Sequence, residues 1–76
     1  MNEQSISFDL EGDEALVFFE LLNRLIENET KMFPAERAIS DRLITKLEKT
    51  LVSPMDKNYE QLLEQARSRV AAKWGY

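Results

Sequence analysis

The chain has 76 residues with a formal net charge of −4, and it contains no cysteine and no histidine. This composition limits it to one domain, residues 1–76, and excludes a disulfide, a thiolate nucleophile and the commonest zinc ligands. So short a chain without such a staple needs good helix packing or a partner in order to fold. We expect no cofactor and no bound metal.

The first ten residues predict an extended arm or a strand. In "SISFDL", residues 5–10, the apolar side chains of Ile6, Phe8 and Leu10 alternate with polar ones, which is the period of a strand. A single strand cannot satisfy its own backbone. The segment must therefore pair with a second copy, lie along the helices or remain a short arm.

The first predicted helix, helix A, covers residues 13–29. Its apolar side chains between Ala15 and Ile26 span roughly 200° of the helix circumference, and Leu16 falls among the polar residues that fill the remainder. A helix with one neighbour needs about half that width. Helix A is therefore predicted to be central and to contact two other helices.

The second predicted helix, helix B, covers residues 34–51. Pro34 suits its first position, where a missing N–H group costs nothing. A stripe of about 140° then forms one apolar face. Its members are Ile39, Leu43, Ile44, Leu47 and Leu51.

The third predicted helix, helix C, covers residues 56–74, with Asp56 as its N-cap. Its apolar stripe is narrow, and together with that of helix B it can cover the two flanks of helix A. The predicted fold is therefore all-α, a small three-helix bundle with a short N-terminal extended segment or strand. The expected core residues are Phe18, Leu22, Leu43, Leu47, Leu63 and Val70.

Charge is unevenly distributed along the chain. Residues 1–30 hold eight acids and one base, whereas residues 31–76 hold six acids and nine bases. The acidic half suits a partner protein with a basic surface, although a solvated surface that maintains solubility explains the same pattern. The candidate partner-binding residues are Asp9, Glu11, Asp13, Glu14 and Glu20.

Nucleic acid and membrane are not expected partners. The order strand, helix, helix is that of the ribbon–helix–helix DNA-binding dimers. In those proteins Arg, Lys, Asn or Gln side chains on the strand read the DNA, whereas the polar side of this arm offers Ser5, Ser7 and Asp9. The longest apolar run, Ala15 to Phe19, is far shorter than the roughly 20 residues of a membrane span. No signal-peptide pattern opens the chain, so a cytoplasmic location is expected.

No arrangement of residues predicts catalysis. None of the serines lies in a glycine-flanked turn, and two glycines cannot form a phosphate-binding loop. "DLEGDE", residues 9–14, is too short for a calcium loop and lacks its closing glutamate. A basic patch, "RSRVAAK" at 67–73, is typical of a solvated helix end.

Several apolar residues exceed what three short helices bury, which favours self-association. The predicted dimer or tail contacts are Ile6, Phe8, Leu10, Trp74 and Tyr76. In a two-fold dimer the apolar side of the arm would pair across the axis or cover helix A of the second copy. The alternative is a monomer whose arm folds back on its own helices.

Four stretches together resemble a widespread set of short bacterial proteins of unknown function. They are "DEALVFFELLNRL" at 13–25, "ER" at 36–37, "LEKTLVSP" at 47–54 and "YEQLLEQARSRV" at 59–70. The chain departs from that pattern in two places. At Asp41 the other proteins have an aromatic residue, and at Glu11 and Gly12 they have threonine or a basic residue. The resemblance implies a compact helical fold and brings no activity or site residues.

The sequence as a whole favours a small acidic protein that binds another protein and catalyses nothing. The specific hypothesis is an inhibitor of the immunity, antitoxin or phage anti-defence type. Bacteriocin immunity proteins are similar in size, acidity and helical content, although this chain lacks their Tyr-Tyr-Pro recognition segment. The alternative is a housekeeping structural or adaptor protein that acts as a homodimer.

Overall fold

Three α-helices form the structure, a computed structural model that describes residues 4–28, 31–52 and 56–76. They are α1 (Gly12–Glu27), α2 (Pro34–Thr50) and α3 (Tyr59–Trp74), and the described ranges contain no strand. The predicted all-α, three-helix fold is confirmed. The predictions that fall on residues 1–3, 29–30 and 53–55 lie outside the described residues.

The arm, residues 4–11, is irregular. Its apolar side chains lie in solvent, with Ile6 86% and Phe8 74% exposed. Within the single chain residues 4–10 form the extended segment and not a strand, because no second strand within the described ranges pairs with their backbone, and pairing with a second copy stays a prediction. Alternating side chains alone do not make a strand without such a partner.

The helix α1 is central, as predicted, and both other helices run antiparallel to it. Glu20 meets Tyr59 at the start of α3, and Asp13 meets Arg69 near its end. Thr50, the last residue of α2, lies beside the start of α1. Helices α2 and α3 therefore run in the same direction on different sides of α1, and they hardly meet each other.

The core lies mainly between α1 and α3. Leu16, Leu63 and Ala66 form one cluster and are 4%, 2% and 0% exposed. Phe19 and Leu22, which follow Leu16 at the next two helical turns, are also buried. We name these three buried α1 residues the seam; Leu16 among them packs against Leu63 and Ala66 of α3.

Leu16 is buried, although the sequence pattern places it among the polar residues of the helix; the predicted orientation of helix A is wrong at this position. Its polar neighbours on the helix surface are half-buried and have hydrogen-bond partners within the chain, so they tolerate a place at the edge of the core. The Tyr59 hydroxyl donates to Glu20 at 2.6 Å, and Asn23 Nδ2 donates to the Phe19 carbonyl at 3.0 Å. The buried face of α1 is consequently turned towards its polar side.

The expected core is only partly buried. Leu22 and Leu63 are buried, whereas four others are half-buried, namely Phe18, Leu43, Leu47 and Val70. The α2 stripe has α1 as its one close neighbour among the described elements, so its outer edge stays open. Ser40, at the centre of that stripe, is the buried residue of α2, 6% exposed.

The ends of the helices differ from prediction by up to three residues. Helix α3 begins at Tyr59 and not at Asp56, because the Asp56 side chain accepts the Asn58 N–H at 2.7 Å and holds a turn. Helix α1 begins one residue earlier than predicted and ends at Glu27, before the predicted residue 29. Helix α2 opens at Pro34 as predicted and ends at Thr50, one residue early.

A left-handed glycine ends α3. Gly75 has φ 81°, and the Tyr76 N–H donates to the Ala71 carbonyl at 2.8 Å. This pattern satisfies carbonyls that the helix end would otherwise leave open.

Candidate interaction surfaces

Polar side chains join the start of α1 to the end of α3. We name this group the clasp; its members are Glu11, Asp13, Glu14, Arg69, Lys73 and Trp74. Arg69 donates from Nε and Nη2 to the two carboxylate oxygens of Asp13, at 2.8 and 2.9 Å. Lys73 Nζ donates to Glu11 Oε1 at 2.7 Å. A bidentate arginine–carboxylate pair is the stronger and more directional of these contacts.

Glu14 and Trp74 complete the clasp. The indole Nε1 of Trp74 donates to Glu14 Oε2 at 3.2 Å, and Lys73 Nζ lies 5.5 Å from the centre of the indole ring. The other Glu14 oxygen accepts the backbone N–H of Glu11 at 3.0 Å, which caps the start of α1. A single glutamate thus holds both its own helix start and the end of α3.

The contacts of the clasp shift the pKa values of Asp13, Glu14, Arg69 and Lys73 in the direction that favours their charged forms. The hydrogen bonds from Arg69 lower the pKa of Asp13. The Glu11 backbone N–H, followed by the Trp74 indole, lowers the pKa of Glu14. The partner carboxylates raise the pKa of Arg69 and of Lys73.

Glu20 lies outside the clasp but also has a partner. Its Oε2 accepts the Tyr59 hydroxyl at 2.6 Å in a half-buried position between α1 and α3. Burial of the phenol and the adjacent carboxylate both raise the pKa of Tyr59. The neutral phenol therefore remains the donor of this bond at neutral pH.

Four of the five predicted partner-binding acids thus have partners within the chain; they are Glu11, Asp13, Glu14 and Glu20. Asp9 is exposed in the arm. The sequence pattern assigns Arg69 and Lys73 to a solvated helix end, and it misses their pairing. The opposite charges of the two ends were the available signal, but they indicate contact only once α1 and α3 are known to be antiparallel.

A groove lies between the arm, α1 and α2, and we name it the arm groove. It encloses about 460 Å³. The apolar side chains along it are Ile6, Phe8, Leu10, Ala15, Phe18, Leu43 and Leu47. Because the arm residues among them remain largely exposed, the arm lies beside the groove without closing it.

The predicted dimer or tail contacts occupy two different surroundings. Ile6, Phe8 and Leu10 line the arm groove. Trp74 belongs to the clasp with 61% of its surface exposed, and Tyr76 is 98% exposed at the end of the chain.

Within the described residues, no three or more acidic, histidine or cysteine side chains are grouped so as to hold a metal ion. No helix in these ranges is long and apolar enough to cross a membrane. No protein family, curated protein or solved structure matches the chain. The resemblance to short bacterial proteins stays a prediction.

Proposed function

We propose that the protein acts by binding another protein, as an inhibitor of the immunity, antitoxin or phage anti-defence type, and that it is not an enzyme. The exposed apolar side of the arm carries this proposal. Ile6 is 86% and Phe8 74% exposed beside a groove whose lining is mainly apolar. Apolar side chains gathered in one place on a surface are typical of protein–protein interfaces.

The arm groove is a better candidate interface than the acidic surface. A basic partner that bound at the clasp would have to displace Arg69 and Lys73 from carboxylates they already hold at 2.7–2.9 Å. Such an exchange replaces one ion pair by another and gains little. Burial of the groove and the arm removes apolar surface from water, which favours association directly.

A matched pair of variants tests the proposal. Ile6→Ser with Phe8→Ser removes one aliphatic and one aromatic side chain from the arm groove. Val52→Ser with Phe33→Ser removes the same two types of side chain elsewhere, at 81% and 74% exposure. We expect affinity capture to yield a protein that binds the wild type and the Val52→Ser, Phe33→Ser control but does not bind the Ile6→Ser, Phe8→Ser variant.

The captured protein is then purified and titrated with each form of the chain by calorimetry. An inhibitor should also lower the activity of that protein when the complex forms. A partner that binds the arm variant as tightly as the wild type would place the interface elsewhere and contradict the proposal.

A homodimeric adaptor is the second candidate, and the lack of a backbone partner for the arm within the described ranges favours it. A second copy could cover Ile6, Phe8 and Leu10 across a two-fold axis. Light scattering over a wide concentration range distinguishes the two candidates. A dimer that becomes a monomer on removal of residues 1–9 supports the adaptor, and a full-length monomer at every concentration rejects it.

A further inference from the structure

The outer side of α2 carries bases without acids. We name it the basic face; its residues are Ala35, Ala38, Ile39, Arg42, Lys46 and Lys49, all exposed. At 3.6 residues per turn these positions share an arc of about 100° of the helix circumference. The acids of α2, which are Glu36, Asp41 and Glu48, fall outside this arc.

The bases of this face have no ion-pair partner within the described part of the chain. Arg37, by contrast, is paired with Asp41 at 3.1 Å, and Arg69 and Lys73 are held in the clasp. Arg42, Lys46 and Lys49 extend over about 10 Å of helix, at 1.5 Å per residue. An acidic protein with a net charge of −4 therefore presents on α2 a group of three bases that form no ion pair among the described residues.

The basic face also contains an apolar contact point. Ile39 is 56% exposed. Together with Leu43 it lines a shallow cavity of about 110 Å³, whose other walls are Arg42 and Lys46. Leu43 and Lys46 also line the arm groove, so the basic face continues directly from it.

We propose that the basic face of α2 binds an acidic segment of the partner protein that carries apolar side chains at helical spacing. An apolar side chain of that segment occupies the cavity at Ile39 and Leu43, and its carboxylates lie against the surrounding bases. Amphipathic helices bind grooves in this way, with anchors at i, i+3 and i+4. This inference rests on the proposed function and gives the partner its chemistry.

A nucleic acid fits the face less well. An isoleucine and two alanines lie among the basic side chains of this face. A phosphate backbone gains nothing from contact with these three apolar residues. Three basic side chains also release few counterions, whereas tight non-specific binding requires more phosphate contacts.

The test uses a synthetic helical peptide with glutamates on its polar side and leucines at i, i+3, i+4 and i+7. Its binding to the full chain is followed by calorimetry and by the amide NMR shifts of α2. Arg42→Gln with Lys46→Gln and Lys49→Gln should weaken binding about tenfold, since each exposed charge contact contributes a factor of roughly two or three. The control is Lys31→Gln with Lys57→Gln and Arg67→Gln, which changes the net charge equally and should leave binding unchanged.

The apolar contribution is tested by Ile39→Ser and by a peptide whose leucines are replaced by serine. Both should weaken binding. The proposal is overturned if the leucine peptide does not bind, if the serine peptide binds equally well, or if the control triple variant weakens binding as much. A single-stranded oligodeoxynucleotide that binds more tightly than the peptide, regardless of Ile39→Ser, would make the face a nucleic-acid site instead. Because Ile6 and Phe8 are unchanged in these variants, a failure here concerns the basic face and does not decide the test with the arm variant.

Discussion

The guanidinium of Arg69 forms two hydrogen bonds with the carboxylate of Asp13, at 2.8 and 2.9 Å, although 56 residues separate the two in sequence. Asp13 lies in the first turn of α1, where the helix dipole favours an acid, and Arg69 lies in the second half of α3. Because the helices are antiparallel, one pair of side chains ties the start of one to the end region of the other. The acidic start of α1 therefore has a structural role.

The clasp predicts a specific response to acid. The pKa values of Asp13 and Glu14 are lowered in the folded state. Their contribution to stability is therefore present above the ordinary carboxyl pKa of about 4 and is lost as the pH falls through the lowered folded values. Arg69→Gln removes part of this contribution, so its melting temperature should depend less on pH in acid. Circular dichroism melts at a series of pH values measure the difference.

Arg67→Gln is the control for this prediction. Arg67 is an exposed arginine on the same helix, and none of the ion pairs among the described residues includes it. Its acid profile should follow the wild type. If Arg69→Gln also follows the wild type, the clasp does not contribute to stability.

Helix α1 buries a different face from the one that the sequence pattern predicts, and two leucine substitutions should therefore lower the free energy of unfolding by unequal amounts. Leu16 is 4% exposed in the seam, whereas Leu21 is 38% exposed on the opposite flank. Leu16→Ala should therefore lower the free energy of unfolding by about 2–5 kcal/mol, as a buried leucine does, and Leu21→Ala by clearly less. Urea denaturation of both variants gives the comparison. A larger loss of unfolding free energy for Leu21→Ala than for Leu16→Ala would support the orientation of α1 that the sequence pattern predicts.

Tyr59 should ionise late. The chain has two tyrosines, so Tyr76→Phe leaves Tyr59 as the only source of tyrosinate absorbance. Burial and the Glu20 carboxylate raise the pKa of Tyr59, and the titration should therefore begin above the ordinary tyrosine value of about 10. Because the pKa of Tyr59 is raised in the folded state, its contribution to stability is complete below the ordinary tyrosine pKa. This contribution is lost as the pH rises through the pKa of the folded state.

Glu20→Gln should lower the midpoint of the Tyr59 titration, because it removes the charge that opposes tyrosinate. Circular dichroism at each pH shows whether the chain is still folded. Ionisation of Tyr59 at the ordinary pH in a folded chain would mean that the 2.6 Å bond to Glu20 does not form in solution.

The two glycines predict opposite effects of the same substitution. Gly75 has φ 81°, a conformation that alanine adopts only with strain, so Gly75→Ala should destabilise the chain by roughly 1 kcal/mol. Gly12 opens α1 with open space where a Cβ would lie. Gly12→Ala should be neutral or stabilising by up to about 1 kcal/mol, since alanine restricts the unfolded chain. Equal effects in thermal melts would contradict the left-handed cap.

The sequence predicts the helices well because their signals are local. Pro34 marks the start of α2, and the spacing of apolar residues predicts which helices have wide or narrow apolar faces. Asp56 shows the limit of such signals. Asp56 and Asn58 are both good N-cap residues, and the turn between them moves the start of α3 to Tyr59.

The candidate surfaces were less predictable because they depend on the direction of each helix relative to the others. Helix α3 begins beside Glu20 and reaches the start of α1 at Asp13, and it therefore runs antiparallel to α1 and parallel to α2. Periodicity identifies an apolar face but does not say which helix covers it or in which direction. For that reason neither the pairing of Asp13 with Arg69 nor the burial of Leu16 follows from the sequence pattern.

The antiparallel packing of α1 and α3 has a consequence for the growing chain on the ribosome. Translation delivers α1 before α3, so Leu16 emerges before Leu63 and Ala66 can cover it. From the emergence of α1 until the emergence of α3, the nascent protein therefore exposes an apolar residue that the folded protein buries, and it is in this interval that aggregation or a chaperone competes with folding.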